Sequence, residues 1–195
     1  MSIKNVCVFA GASDGVRPMY RAAAQALGQL LAIKKIRLIY GGASVGLMGA
    51  VADSMLKNGG NVVGVIPRML ADKEIAHSGL HDLCVVDSMH ERKDMMFDMA
   101  DAFIVLPGGL GTLDETCEIL TWAQLGLHQK PCGLLNTENY FNRFLDFLDD
   151  AVREGFIRSE HRSMVMVEAD PEKLLVTFDA YQPPNLEKWI ESGQT

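Results

Sequence analysis

The sequence is poor in cysteine and aromatic residues, and it has no long hydrophobic run. Its four cysteines, Cys7, Cys84, Cys117 and Cys132, are scattered and lack the CxxC or Cys/His spacing of a zinc site. This usage is typical of a reducing compartment, so we expect a cytoplasmic protein. No apolar stretch approaches the roughly 20 residues of a membrane helix. A strand is predicted within a few residues of Met1, so we expect no signal peptide either.

Positive charge is also in short supply. The chain has 18 Lys and Arg against 25 Asp and Glu, and its formal net charge is −7. A broad nucleic-acid surface is therefore not expected, because such surfaces are basic. A phosphate ligand would have to be held by a few local cations and N–H groups. With 195 residues, 48% of them apolar and only 7% aromatic, the chain can bury one aliphatic α/β core.

Strand-like and helix-like runs alternate along the chain. The predicted strands are residues 6–10, 37–40, 62–66, 83–86, 102–106, 132–135 and 165–167, and the predicted helices are 19–33, 47–57, 88–100, 113–125, 140–154 and 171–181. This alternation predicts an α/β fold, a Rossmann-like doubly wound and mainly parallel sheet with helices on both faces. Because no linker interrupts it, we predict one domain over residues 1–182 and a peripheral tail over 183–195.

Three glycine-rich turns follow predicted strands, at residues 11–15, 41–46 and 108–111. Since the carboxyl ends of parallel strands share one edge of a sheet, these turns should lie together. In doubly wound sheets that edge binds ligands where the strand order reverses. The turn at 41–46 lacks the Gly-Lys-Ser/Thr of a Walker A loop and the spacing of GxGxxG. Taken alone, it indicates only a tight strand–helix connection.

The most informative turn lies in the segment PGGLGTLDE, residues 107–115. A strand, a glycine turn and a helix start together form an anion site, because backbone N–H groups and the helix dipole favour negative charge there. Glu115 brings a carboxylate beside this phosphate cradle. Two interpretations stay open, since Thr112 and Glu115 also have the spacing of a capping box. Asp114 is explained by complementing the helix dipole.

The segment SMHERK, residues 88–93, is the second strong signal. Ser88 and Glu91 have the spacing of a capping box. Arg92 and Lys93 do not fit a first helical turn, because cations there oppose the macrodipole at a cost of about 0.3–1 kcal/mol each. A bound phosphate or a nearby carboxylate would explain them, and Arg92 above all is predicted to be functional.

The histidines give no further site. We expect His77, His81 and His90 on the surface or in loops, because their spacing is not that of metal ligands. We therefore predict no metal site.

Together the two segments resemble the LOG ("Lonely guy") family, whose members are often mislabelled lysine decarboxylases. Residues 107–115 match its PGGxGTxxE signature, and residues 88–96 resemble its basic segment. The resemblance extends from Val6 to about Leu148. One departure is Ala43, where many members have a third glycine. The resemblance implies hydrolysis of the N-glycosidic bond of a cytokinin riboside 5′-monophosphate, an N6-modified AMP, to free base and ribose 5-phosphate. We expect this hydrolysis to require neither a metal nor an organic cofactor.

The resemblance also assigns residues. By matching position, Arg92 and Glu115 would form the catalytic pair. The same two would bind substrate together with Glu74, Lys93, Gly109, Leu110, Gly111, Thr112 and Thr121. The family implies a homodimer with the site close to the subunit interface. Two alternatives remain: a general AMP or purine nucleotide nucleosidase, and a protein that binds a nucleotide or cofactor without hydrolysing it.

Overall fold

A seven-stranded sheet organises the protein, described here from a computed structural model over residues 3–71, 76–80 and 82–184. The strands are β1 (Asn5–Phe9), β2 (Arg37–Tyr40), β3 (Val62–Pro67), β4 (Asp82–Val86), β5 (Ala102–Val105), β6 (Cys132–Leu135) and β7 (Val165–Glu168). The helices are α1 (Pro18–Ile33), α2 (Gly46–Lys57), α3 (Arg68–Ala71), α4 (Met89–Met99), α5 (Leu110–Gln124), α6 (Asn142–Arg153), α7 (Ser159–Arg162) and α8 (Pro171–Asp179). A 3₁₀ turn spans Thr137–Asn139.

The strand order is β4-β3-β2-β1-β5-β6-β7, and every pairing is parallel. The chain begins in the middle of the sheet, builds outward to β4, and then crosses back to place β5 beside β1. This confirms the predicted doubly wound parallel sheet. The strand order reverses between β1 and β5, so the connections leaving these two strands diverge and open a crevice at their carboxyl ends.

Two apolar layers sandwich the sheet, because alternate strand residues face opposite sides. In β1, Val6 and Val8 pack in a core layer with α1, α2 and α8, whereas Cys7 and Phe9 pack in a layer with α4, α5 and α6. Helices therefore cover both faces, as predicted. Burial of both faces explains why the strands are continuous apolar runs.

Several local features differ from the prediction. Helix α5 begins at Leu110, three residues before the predicted start, and the short helices α3 and α7 were not predicted. His77 lies in a loop, as expected, but it is buried, and its Nε2 lies 3.0 Å from Asp53 Oδ1. His90 is exposed on α4, and His81 lies outside the described residues. So do residues 185–195, most of the predicted peripheral tail.

None of the described helices is long and apolar enough to cross a membrane. Across the described ranges, no three His, Cys, Asp or Glu side chains are grouped to hold a metal ion. All four cysteines are free thiols.

Candidate active site

A cavity of about 630 Å³ opens at the carboxyl ends of β1 and β5, where the strand order reverses. All three predicted glycine turns line it. Residues 10–15 follow β1, Gly41, Ala43 and Val45 follow β2, and residues 107–109 follow β5. The sequence-based expectation that these turns share one edge is therefore confirmed.

The turns hold one another through backbone contacts. The Gly11 N–H donates to the Pro107 carbonyl at 3.0 Å, and the Leu47 N–H donates to the Gly11 carbonyl at 3.0 Å. Gly46 has a φ of +60°, and a Cβ there would collide with the backbone of Ala12. The second turn thus needs glycine for backbone packing, which agrees with its interpretation as a tight strand–helix connection.

Arg92 and Glu115 form a buried ion pair on the cavity wall. Arg92 Nη1 donates to Glu115 Oε1 at 2.7 Å, and Arg92 Nε donates to the Val65 carbonyl at 3.2 Å. The two residues are only 8% and 7% exposed. A Cβ at Gly41 would collide with Arg92 Nη2, so glycine at this position leaves room for the guanidinium. The sequence predicted a phosphate or a carboxylate close to Arg92, and the structure shows that Glu115 supplies the carboxylate.

The environment of Glu115 acts on its pKa in two opposing ways. Burial raises the pKa, because it disfavours the charged carboxylate, while the Arg92 charge and hydrogen bond lower it. The net direction is upward from the ordinary value of a glutamate. A carboxylate poised in this way beside a cavity is typical of catalytic groups.

The capping interpretation of Glu115 is wrong. Helix α5 begins at Leu110 with Gly109 as its N-cap, so Thr112 lies inside the first turn and does not precede it. No side chain caps this helix start. The Glu115 carboxylate is left to face Arg92. At α4, by contrast, half of the predicted capping box is confirmed, because Ser88 Oγ accepts from the Glu91 N–H at 3.0 Å. The Glu91 carboxylate accepts from the Asp87 N–H at 2.8 Å instead of the Ser88 N–H.

The start of α5 supplies an anion cradle. In any α-helix the first N–H groups lack a carbonyl partner within the helix, and in α5 these belong to Leu110, Gly111 and Thr112. A Cβ on Gly109 or Gly111 would meet nothing within 4 Å, so packing does not demand glycine at either position. Gly109, Gly111 and Thr112 line the cavity beside Arg92 and Glu115. Bare backbone facing open space lets an anion approach the N–H groups closely.

Lys93 does not line this cavity. Its Nζ lies 3.0 Å from Glu118 and 3.3 Å from Asp114, two carboxylates on α5. Consecutive residues of a helix point in different directions, so Arg92 faces the cavity while Lys93 faces the outer side of α5. Burial lowers the Lys93 pKa, but the hydrogen bonds to the two carboxylates outweigh it and raise the pKa overall.

Two other predicted residues, Leu110 and Thr121, are not brought to the cavity wall. Leu110 contributes its backbone to the helix start, but the residue is 87% exposed. Thr121 is exposed, and its hydroxyl donates to the Cys117 carbonyl at 2.7 Å. It lies roughly 13 Å further along the helix axis than Thr112 at 1.5 Å per residue. Glu74 falls outside the described residues.

Much of the remaining wall was missed from sequence. Tyr20 and Tyr140 stand edge-on with ring centroids 5.6 Å apart, and the Tyr140 hydroxyl donates to the Gly108 carbonyl at 2.6 Å. Aliphatic side chains line the cavity as well, namely those of Met48, Ile66 and Leu70. Single apolar or aromatic residues in helices and strands usually indicate core packing, so no local signal distinguishes these.

Comparison with known proteins adds independent findings. A family model described as "Possible lysine decarboxylase" matches residues 48–178. The chain is 46% identical over 182 residues to the cytokinin riboside 5′-monophosphate phosphoribohydrolase LOG5 of Arabidopsis thaliana, covering 93% of this chain and 80% of the relative. It is also 46% identical to a probable enzyme of the same name, LOGL2 of Oryza sativa subsp. japonica, over 92% of this chain and 74% of the relative.

Among solved structures, the chain is similar to the molybdenum cofactor binding protein of Rippkaea orientalis. The TM-score is 0.68, and the match covers 92% of this chain and 98% of that one. At 23% sequence identity this likeness shows the Rossmann-like fold alone.

Proposed function

The chain belongs to the LOG family of phosphoribohydrolases, and we propose that it hydrolyses the N-glycosidic bond of cytokinin riboside 5′-monophosphates. The products are a free cytokinin base and ribose 5-phosphate. The observation that carries this proposal is the buried Arg92–Glu115 pair, which faces the same cavity as the N-terminus of α5. An anion cradle and a carboxylate in one cavity match a substrate that has a phosphate at one end of a ribose and a scissile bond at the other.

The cradle binds the 5′-phosphate in this proposal. The N–H groups of Gly109, Gly111 and Thr112 donate to the phosphate oxygens, and the positive end of the α5 dipole favours their charge. Arg92 adds a cation at the same place and keeps Glu115 in position through their 2.7 Å contact. These interactions supply locally the positive potential that the acidic chain lacks overall.

Glu115 stabilises the reacting centre. Departure of the base takes the bonding electrons of the C1′–N bond and leaves positive charge on the ribose, as in glycoside hydrolysis. The ionised Glu115 carboxylate stabilises this oxocarbenium-like state. Water then bonds to C1′ and gives a proton to Glu115 as the general base. The departing nitrogen of the base takes up one proton in exchange, so the base leaves neutral and Glu115 is ionised again at the end of the cycle. The aliphatic wall formed by Met48, Ile66 and Leu70 suits an apolar substituent on the base.

Lys93 acts through α5 rather than by reaching the phosphate. Its ammonium group pairs with Asp114 and Glu118, which flank Glu115 on the helix. By joining α4 to α5, Lys93 helps to keep Arg92 and Glu115 in register. Glu74 is retained as a substrate-binding residue on family membership alone.

We further propose a homodimer in the cytoplasm. Leu110, 87% exposed beside the cradle, supports an interface close to the site. Thr121 lies too far from the cavity of its own chain to contact substrate there. In a dimer it would contact the substrate in the cavity of the second copy. Four free cysteines fit a reducing compartment. Light scattering coupled to size exclusion tests the dimer, and a monomeric mass would contradict it.

Lysine decarboxylation is a poor match to this cavity. Pyridoxal-phosphate chemistry on an amino acid needs a lysine for the Schiff base. No lysine is among the described residues that line the cavity, where the cation is Arg92. The match to the lysine decarboxylase family model therefore indicates common ancestry, and the proposed reaction follows the phosphoribohydrolase names of the relatives.

Incubation of the purified chain with N6-isopentenyl-AMP and with AMP tests the proposed function. Release of isopentenyladenine with a kcat/KM at least tenfold above that for AMP is expected. Equal release of both bases would replace cytokinin selectivity with a general purine nucleotide nucleosidase. Release of neither base would leave a binding protein. Glu115→Gln in the same assay controls for a contaminating hydrolase.

A further inference from the structure

Tyr140 touches the phosphate cradle from outside the two sequence motifs. Its hydroxyl donates to the Gly108 carbonyl at 2.6 Å, and its side chain forms part of the cavity wall. We propose that Tyr140 is a positioning residue, whose hydroxyl fixes the peptide between Gly108 and Gly109 and so aims the Gly109 N–H into the cavity. This proposal rests on the proposed function, because it concerns binding of the 5′-phosphate.

Peptide geometry links the two ends of this contact. The peptide unit is planar and trans, so the Gly108 carbonyl and the Gly109 N–H point in opposite directions. A hydroxyl that holds the carbonyl therefore also sets the direction of the N–H. If the unit turned over, the carbonyl oxygen would face the phosphate and repel it. One hydrogen bond decides whether this group of the cradle attracts or repels an anion.

This peptide lies between two glycines, of which Gly108 is packed closely against Thr112 and Gly11 and Gly109 is not. Neither Gly108 nor Gly109 has a Cβ to restrict rotation of the intervening unit. A Cβ on Gly109 would meet nothing within 4 Å, so no packed neighbour limits motion on that side. The Gly11 N–H holds the preceding carbonyl, that of Pro107, at 3.0 Å. The hydrogen bond from Tyr140 holds the next carbonyl, that of Gly108, at the edge of the cradle.

The backbone before Tyr140 forms a tight turn that places its side chain at the cavity wall. Glu138 and Asn139 both adopt left-handed conformations, with φ values of +55° and +58°, which side-chain-bearing residues rarely adopt. The Asn136 side chain stabilises this turn, because its Oδ1 accepts from the Phe141 N–H at 2.8 Å and its Nδ2 donates to Asn142 Oδ1 at 2.8 Å. Strain that is held by its surroundings at a cavity wall is typical of functional positions.

Replacement of Tyr140 by Phe tests the proposal, since it removes the hydroxyl and retains the ring against Tyr20. We expect KM for N6-isopentenyl-AMP to rise about tenfold, as for one lost hydrogen bond, with kcat changed by less than threefold. The inhibition constant of ribose 5-phosphate should rise by the same factor, while that of N6-isopentenyladenosine, which has no phosphate, stays unchanged. Tyr181→Phe, which makes the same chemical change away from the cavity, should alter none of these values.

A second measurement does not depend on activity. In ¹⁵N relaxation-dispersion spectra, the Gly109 amide should show slow exchange in Tyr140→Phe and none in the wild-type chain. Equal weakening of ribose 5-phosphate and the nucleoside would overturn the proposal in favour of general wall packing. The proposal would also be overturned if Tyr140→Phe changed neither the KM and inhibition constants nor the exchange of the Gly109 amide. A wild-type chain that does not bind ribose 5-phosphate would overturn it as well. If the wild-type chain releases no base but ribose 5-phosphate binding still depends on the hydroxyl, only the hydrolase function fails.

Discussion

Arg92 on α4 and Glu115 on α5 meet at 2.7 Å although they are 23 positions apart in the chain. The contact explains two unusual features at once. A cation in the first turn of α4 opposes the helix dipole, and a buried carboxylate lacks solvent. Each group compensates the other, and both remain at the cavity surface where a substrate can reach them.

Glu115→Gln should abolish most base release. The amide has nearly the shape of the carboxylate but no charge to stabilise the oxocarbenium-like state, so kcat should fall roughly 10²–10³-fold. Arg92 would then lack its counter-charge, and we expect a stability loss of roughly 1–3 kcal/mol. Steady-state assays and urea unfolding measure the two effects. Glu172→Gln, on the exposed side of α8, is the control. Turnover equal to wild type would remove Glu115 from the catalytic mechanism.

The pH dependence of kcat should report the raised pKa of Glu115. Activity requires the ionised carboxylate, so it is lost as the pH falls through that pKa, which lies above the ordinary pKa of a glutamate. Arg92→Gln removes the charge that lowers this pKa, so its residual activity should need a still higher pH. Because Arg92 also lies beside the phosphate cradle, the ³¹P chemical shift of bound ribose 5-phosphate is followed against pH in the wild-type and Arg92→Gln chains, which separates phosphate ionisation from that of Glu115. An acid limb that stays in place or moves to lower pH would contradict the assignment.

Lys93→Met separates the two possible roles of this cation. If Lys93 joins α4 to α5, its loss should lower kcat roughly tenfold with little change in KM. A cation on the phosphate would instead raise KM. The double variant Asp114→Asn with Glu118→Gln should reproduce the Lys93→Met effect, because it removes the same two ion pairs. Lys57→Met, at an exposed position of α2, controls for the loss of one positive charge.

Lys35→Gly should stabilise the chain without affecting activity. Lys35 follows Lys34, the C-cap of α1, and has a φ of +56°. The bonds from the Lys35 N–H to the Ala32 carbonyl and from the Ile36 N–H to the Leu31 carbonyl form a Schellman motif. Glycine adopts this left-handed conformation without steric cost, so we expect a gain of about 0.5–1 kcal/mol in unfolding free energy. Thermal unfolding measures it. Lys34→Gly, at a right-handed position, should destabilise instead.

The fold could be predicted because it depends on local patterns. Continuous apolar runs such as residues 102–106 indicate strands buried on both faces, and their alternation with helices leaves few topologies. The glycine turns at 11–15 and 108–111 could be assigned to one edge for the same reason. The short helices α3 and α7 escaped prediction because four residues show no periodicity.

The sequence by itself determined the doubly wound sheet, the glycine-rich turn before α5 and the anomaly of a cation, Arg92, in the first turn of α4. Only the tertiary structure decided that Glu115 pairs with Arg92 and does not cap α5, because Thr112 and Glu115 have the spacing of a capping box and nothing local excludes it. Likewise, the contacts of Lys93 with Asp114 and Glu118, and of Tyr140 with the Gly108 carbonyl, depend on the packing of α4, α5 and the segment before α6 around β5. Spacing along a chain reports neighbours within one or two helical turns. Contacts over 23 or 32 residues depend on how separate elements cross.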